Sequence, residues 1–160
     1  MGTFGKALGS YGAYVACSGL IREYLVNTAR SLIFSTSLPP AVLAASCAAI
    51  DLVQGEEGHQ LRRQLADNVR LFRHLLQEAG CTVPDELTPI IPLLVGDAGA
   101  TLLFSNRLLE EGLFVQGIRP PTVPVGTSRL RCTVMADHTA DQIRRAAALI
   151  VTVGQELGVL

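Results

Sequence analysis

An α/β chain that ends in a self-contained α+β unit is predicted from three observations. From about Gly80 onward, three short apolar runs alternate with two helical patterns, enough structure to bury a core unaided. Ahead of it lies the longest amphipathic pattern, residues 57–79, in which Leu61, Leu65, Val69, Phe72 and Leu76 recur at steps of three and four. The glycine-rich opening reads as loop, strand and helix, the tail of a larger sheet. With 49% hydrophobic and 17% charged residues, the composition supports a core and excludes a disordered chain.

Residues 1–12 are expected to form a loop, 13–17 a short strand of small buried residues, and 19–30 a helix carried by Leu20, Tyr24, Leu25 and Thr28. Residues 31–38 read as extended, ended by Pro39-Pro40, and a helix over 40–53 follows because proline suits a first helical turn. The 57–79 helix ends at Gly80, a ready cap. Its other face, with Arg62, Arg63, Asp67, Arg70 and Arg73, reads as a solvated charge run. Strands are expected at 90–95, 114–118 and 130–134, and a helix at 98–111 behind an Asp97 cap. The last helix starts at Thr139, where Thr139-Ala140-Asp141-Gln142 fits a capping box.

A net charge of -1 with scattered arginines argues against nucleic acid or an anionic membrane as partner. The longest apolar stretch, 41–50, is about half a membrane span. Cys17, Cys47, Cys81 and Cys132 form no C-x-x-C pair and read as free thiols in a reducing, cytoplasmic compartment. His59, His74 and His138 show no metal-ligand spacing, so no metal site is expected.

Two residues could carry chemistry. Lys6, the only lysine, lies in Thr3-Phe4-Gly5-Lys6-Ala7-Leu8-Gly9, where flanking glycines can hold it in a stiff pocket. A desolvated lysine can form a Schiff base with a carbonyl, and the Thr3 hydroxyl could reach the phosphate of a cofactor so held. The alternative is an ordinary surface lysine. Arg131 lies in a predicted strand, where a buried guanidinium needs a partner. Its planar fork suits a substrate carboxylate, and the alternative is an intramolecular salt bridge. Three prolines, Pro120, Pro121 and Pro124, stiffen the loop before it. His138 is assigned no role.

The segment Thr-Phe-Gly-Lys6-Ala-Leu-Gly-Ser-Tyr-Gly-Ala resembles the cofactor-lysine segment of the α-oxoamine synthases, a branch of the fold-type I pyridoxal-phosphate enzymes. Ile33-Phe34-Ser35-Thr36-Ser37-Leu38-Pro39-Pro40 resembles the family's dimer-crossing segment. Ile118-Arg119-Pro120-Pro121-Thr122-Val123-Pro124 and Gly126-Thr127-Ser128-Arg129-Leu130-Arg131 resemble its C-terminal substrate loop and strand. The order and spacing match over nearly all 160 residues.

The resemblance implies that 1–38 closes the large cofactor-binding domain, 39–79 forms connecting helices, and 80–160 is a small α+β domain with a three-stranded antiparallel sheet packed by helices. It implies that Lys6 carries pyridoxal 5'-phosphate and that Thr3 binds its phosphate, with Ser35 or Thr36 of a neighbouring subunit in a homodimer. Arg131 would hold the carboxylate of L-alanine, with Thr122 and Arg119 near the acyl chain. The Ile-Arg-Pro-Pro-Thr-Val-Pro run points to a pimeloyl thioester as acyl donor, carried by coenzyme A or acyl carrier protein. Other branches, such as glycine C-acetyltransferases, and a non-catalytic dimerisation module are the competing readings. Family members carry a long segment before the lysine that supplies an aspartate, a stacking histidine and a phosphate loop. The chain alone is therefore expected to fold in its C-terminal half, to self-associate and not to catalyse.

Overall fold

The computed structural model describes residues 1–160, which fall into two compact units, Met1–His59 and Gln60–Leu160. The first holds β1 (Gly2–Thr3), β2 (Ala13–Tyr14), α1 (Gly19–Thr28), α2 (Arg30–Ile33), α3 (Pro40–Gln54) and the start of α4 (Glu56–Glu78). The second holds the rest of α4, then β3 (Ile90–Gly96), α5 (Ala98–Glu110), β4 (Gln116–Ile118), β5 (Ser128–Thr133) and α6 (Ala140–Glu156). No helix is long and apolar enough to cross a membrane.

In the first unit, β1 and β2 pair antiparallel as a two-rung hairpin, so part of the expected opening loop is strand. The expected strand over 13–17 shrinks to Ala13–Tyr14, and its residues are exposed rather than buried. A ladder of two residues with no layer laid across it has nothing to bury them. Tyr11, Tyr14 and Tyr24 are likewise exposed. Ser18 caps α1 by accepting from the Ile21 amide, and α3 begins with Pro40 in its first turn. The expected extended piece after α1 is also corrected. Ala29 leaves helical geometry at φ -76, ψ 94, and the chain resumes at once as the single turn α2 before its irregular run to Pro39.

The second unit is built on the three-stranded antiparallel sheet that the resemblance implies, and its strands run in the order β3-β5-β4. Side chains alternate across a strand, so β5 turns Leu130 and Cys132 inward while Arg129, Arg131 and Thr133 face the other way. The inner face meets Val69, Phe72 and Leu76 of α4, Phe104 and Leu108 of α5, and Ile143, Ala147, Ile150 and Val153 of α6 in one core. The helix ends are chemically marked. Asp97 accepts from the Ala100 amide, Thr139 and Gln142 form the reciprocal capping box, and Gly80 at φ +83 lets the Cys81 amide donate back to Leu76.

One residue of the supposed solvated face departs from expectation. Arg73 is buried, with Nη2 donating to the Asp85 carboxylate at 2.9 Å, because the loop after α4 folds back over that side of the helix. Buried Asn68 is the other polar element. Its Nδ2 faces the carbonyls of Met135 at 3.0 Å, Ala136 at 3.2 Å and His138 at 2.8 Å, sharing two hydrogens among three acceptors. The turn between β5 and α6 thus closes on α4.

Two predictions follow from this packing. Removing the donor in Asn68→Ala leaves those carbonyls without their partner and should cost about 1–3 kcal/mol in urea unfolding, with Asn68→Asp costing more because a carboxylate would face three carbonyl oxygens. Thiol reagents should modify the exposed Cys17 and Cys47 in the native state and reach buried Cys81 and Cys132 only on unfolding. Burial, and secondarily the Cys81 sulfur, pushes the Cys132 thiol from 9.0 up to about 12. Its contribution to stability is therefore whole below pH 9.0 and declines as pH rises toward about 12, a loss that pH-dependent unfolding should show.

Candidate active site

Lys6 sits at the tip of the β1–β2 hairpin. The connection is tied by the Phe4 amide to Gly12 O at 3.0 Å, the Ser10 amide to Phe4 O at 3.0 Å and the Gly9 amide to Lys6 O at 2.9 Å. Gly12 has φ +106, and a Cβ there would lie 2.7 Å from the Leu38 side chain, so only glycine closes this loop. Behind the tip, Ser10 Oγ lies 2.8 Å from Ser46 Oγ and donates to Val42 O of α3 at 3.3 Å. The loop is anchored on its far side while Lys6 stays exposed, with no ion-pair partner. The pocket expected around it is absent from this unit.

Thr3 ends β1 opposite Ala13, exposed like Lys6. Ser35 and Thr36 occupy the turn after α2, where Ser35 Oγ donates to Thr36 O at 3.3 Å. No hydrogen bond joins that turn to the hairpin.

In the second unit, the face of the sheet opposite the core forms a cleft of about 420 Å³. Ile90 and Pro92 of β3, Ile118 of β4, Thr122 of the proline loop, and Arg129 and Arg131 of β5 line it. Arg131 pairs in register with Pro92 on one side and Gln116 on the other, which sets it mid-sheet. It is exposed rather than buried, a correction that follows from strand alternation: its neighbours Leu130 and Cys132 take the core side. The alternative of an intramolecular salt bridge is not realised, since Arg131 has no carboxylate partner. Its fork is open to a ligand.

Thr122 is held in the same cleft by a turn in which its amide donates to Arg119 O at 3.1 Å, just after the cis Pro120–Pro121 bond. Arg119 itself points elsewhere. It is exposed, does not line the cleft, and donates only to Pro120 O at 3.3 Å. Arg129 takes its place in the cleft, a residue the sequence offered no reason to prefer except its position two residues before Arg131 on the same strand face. His138 borders a different, largely apolar hollow of about 750 Å³ beside α6, where its Nδ1 accepts from the Met135 amide. That bond completes the turn held by Asn68.

The aminotransferase class I and II sequence profile matches residues 1–150. The chain is 72% identical over all 160 residues to the 8-amino-7-oxononanoate synthase of Trichlorobacter lovleyi, and spans 41% of that protein's length. A solved structure of SPT with PLP superposes with a TM-score of 0.92 at 30% identity, covering 99% of this chain and 40% of that one. The 8-amino-7-oxononanoate synthase of Francisella tularensis gives a TM-score of 0.81 at 28% identity, over 96% of this chain and 44% of that one. The profile takes in the hairpin, the sheet and most of α6, so the chain belongs to the aminotransferase class I and II family.

Proposed function

We propose that the chain belongs to an enzyme that joins L-alanine to a pimeloyl thioester, carried on coenzyme A or acyl carrier protein, with loss of carbon dioxide. The product would be 8-amino-7-oxononanoate, a step of biotin synthesis. One observation carries this reading. The only lysine stands unpaired at the tip of an anchored hairpin, in a chain 72% identical to a protein of that name. In the same reading 1–38 closes the cofactor domain, 39–79 connects, and 80–160 is the small domain.

The donors present suit pyridoxal 5'-phosphate: a free primary amine for its carbonyl, and the exposed hydroxyls of Thr3, Ser35 and Thr36 for its phosphate. Ser35 and Thr36 would act from the neighbouring subunit of a homodimer. When bound, the cofactor supplies an electron sink for the carbon that loses its proton. Lys6 would hold the cofactor, and its amine would serve as the base for the α proton of L-alanine. Arg131 would grip the alanine carboxylate with two parallel hydrogen bonds and so fix the orientation of the amino acid in the cleft. Thr122 lines the side of the cleft where the acyl group enters.

Two experiments test the reading in a chain joined to the preceding segment of its relatives. Borohydride reduction after addition of pyridoxal phosphate should fix the cofactor to the peptide containing Lys6, and Lys6→Ala should abolish that labelling. Label on another peptide would refute the assignment. Arg131→Ala should weaken L-alanine binding by about 2–5 kcal/mol, with Arg131→Lys recovering only part because a point charge cannot reproduce the fork. Normal L-alanine affinity in both variants would move the carboxylate site off Arg131.

A further inference from the structure

The cleft on the open face of the sheet holds a second cation that the proposed chemistry at Arg131 leaves unused. Arg129 follows Arg131 along the same face of β5, their Cα atoms roughly 7 Å apart at strand spacing. It is half-buried between Leu94 of β3 and Ile118 of β4, its partners in register. Its Nε donates to Thr127 O at 2.9 Å, and Thr127 is itself held by its amide and hydroxyl to Pro124 O at 3.2 and 2.8 Å. The plane of the guanidinium is therefore set by the proline loop, while Nη1 and Nη2 have no acceptor in the protein. A half-buried fork without an anion is unfavourable, and one already oriented is prepared for one.

We infer that Arg129 binds the distal carboxylate of the acyl substrate, so that the cleft recognises an ω-carboxyacyl chain rather than a plain fatty acyl chain. The inference rests on the reading of the function given above. In 8-amino-7-oxononanoate the carboxylate stands at one end of the chain and the amino ketone at the other, so the acyl donor must bring a charge remote from the reacting carbon. Two unpaired guanidiniums in one cleft match two carboxylates, one on the amino acid and one at the far end of the acyl chain. Ile90, Pro92 and Ile118 between the strands offer apolar surface for the intervening methylenes. Glu86 also lines the cleft and pairs with neither arginine, which leaves two cations against one carboxylate. Arg119, the sequence's choice for the acyl side, lies outside the cleft and is replaced in this role.

The test titrates the chain with monomethyl pimelate, whose ester end mimics the thioester and whose other end is free, and with dimethyl pimelate, which lacks the charge. Arginine Nε–H NMR signals report which side chain responds. Monomethyl pimelate should bind about tenfold tighter than the diester and shift Arg129. Arg129→Gln should erase that preference, Arg129→Lys should retain part of it and also guard against a folding defect, and Arg119→Gln should leave it intact. A preference that survives Arg129→Gln, one that disappears in Arg119→Gln, or no binding of monomethyl pimelate to the unsubstituted chain would overturn the inference. L-Alanine titrated in parallel separates the two ideas. Failure of L-alanine to shift Arg131 while monomethyl pimelate still requires Arg129 would sink the amino-acid reading and leave the Arg129 site standing.

Discussion

The strict alternation of side chains along β5 is the constraint on which the second unit depends. As the middle strand, β5 is hydrogen-bonded on both edges, so its register cannot slip without disrupting both neighbours. That fixed register sends Leu130 and Cys132 into the core and Arg129 and Arg131 to the open face. A one-residue shift would bury two guanidiniums and expose two apolar side chains, a penalty far larger than any loop could offset. The core and the open face are thus set by the same six residues, and the apolar ones hold the polar ones in place.

The hairpin follows a different logic. It has almost no buried apolar surface of its own within the first unit, and its shape comes from backbone hydrogen bonds, two left-handed glycines and the Ser10–Ser46 contact. Such a loop is ordered at its base and free at its tip. Lys6 therefore has a defined point of attachment and an unobstructed amine, the combination that a residue needs if it must hold a carbonyl and later release it.

Features governed by local rules were legible in the sequence. The capping box at Thr139, the Asp97 cap, the Gly80 stop and the three strands of the second unit all follow from short-range chemistry. The misread features depend on what lies across from a residue. Arg73 looks like part of a charged stripe until the loop bearing Asp85 folds over it. Arg131 looked buried because strands usually are, and only the side taken by Leu130 decides otherwise. Asn68 gave no signal at all, since its partners lie 67 to 70 residues away. The break at Ala29 is equally silent, because alanine favours helix and nothing in its neighbours forbids one. The motifs alone single out Lys6, Thr3 and Thr122 as candidates, whereas finding Arg129 rather than Arg119 in the cleft required knowing which way the proline loop turns.

The placement of the aromatic residues gives the two units separate optical identities. The chain has no tryptophan, and its three tyrosines, Tyr11, Tyr14 and Tyr24, all belong to the first unit, with the Tyr14 ring tilted against that of Phe4 at 5.1 Å between centroids. Tyrosine emission from this molecule therefore reports the surroundings of the hairpin and α1, while the sheet and its helices contribute none of it. Melting of the second unit would register in the amide band of circular dichroism with no matching change in fluorescence. A ligand that settles over the hairpin would do the reverse, altering tyrosine emission while the backbone signal stays level.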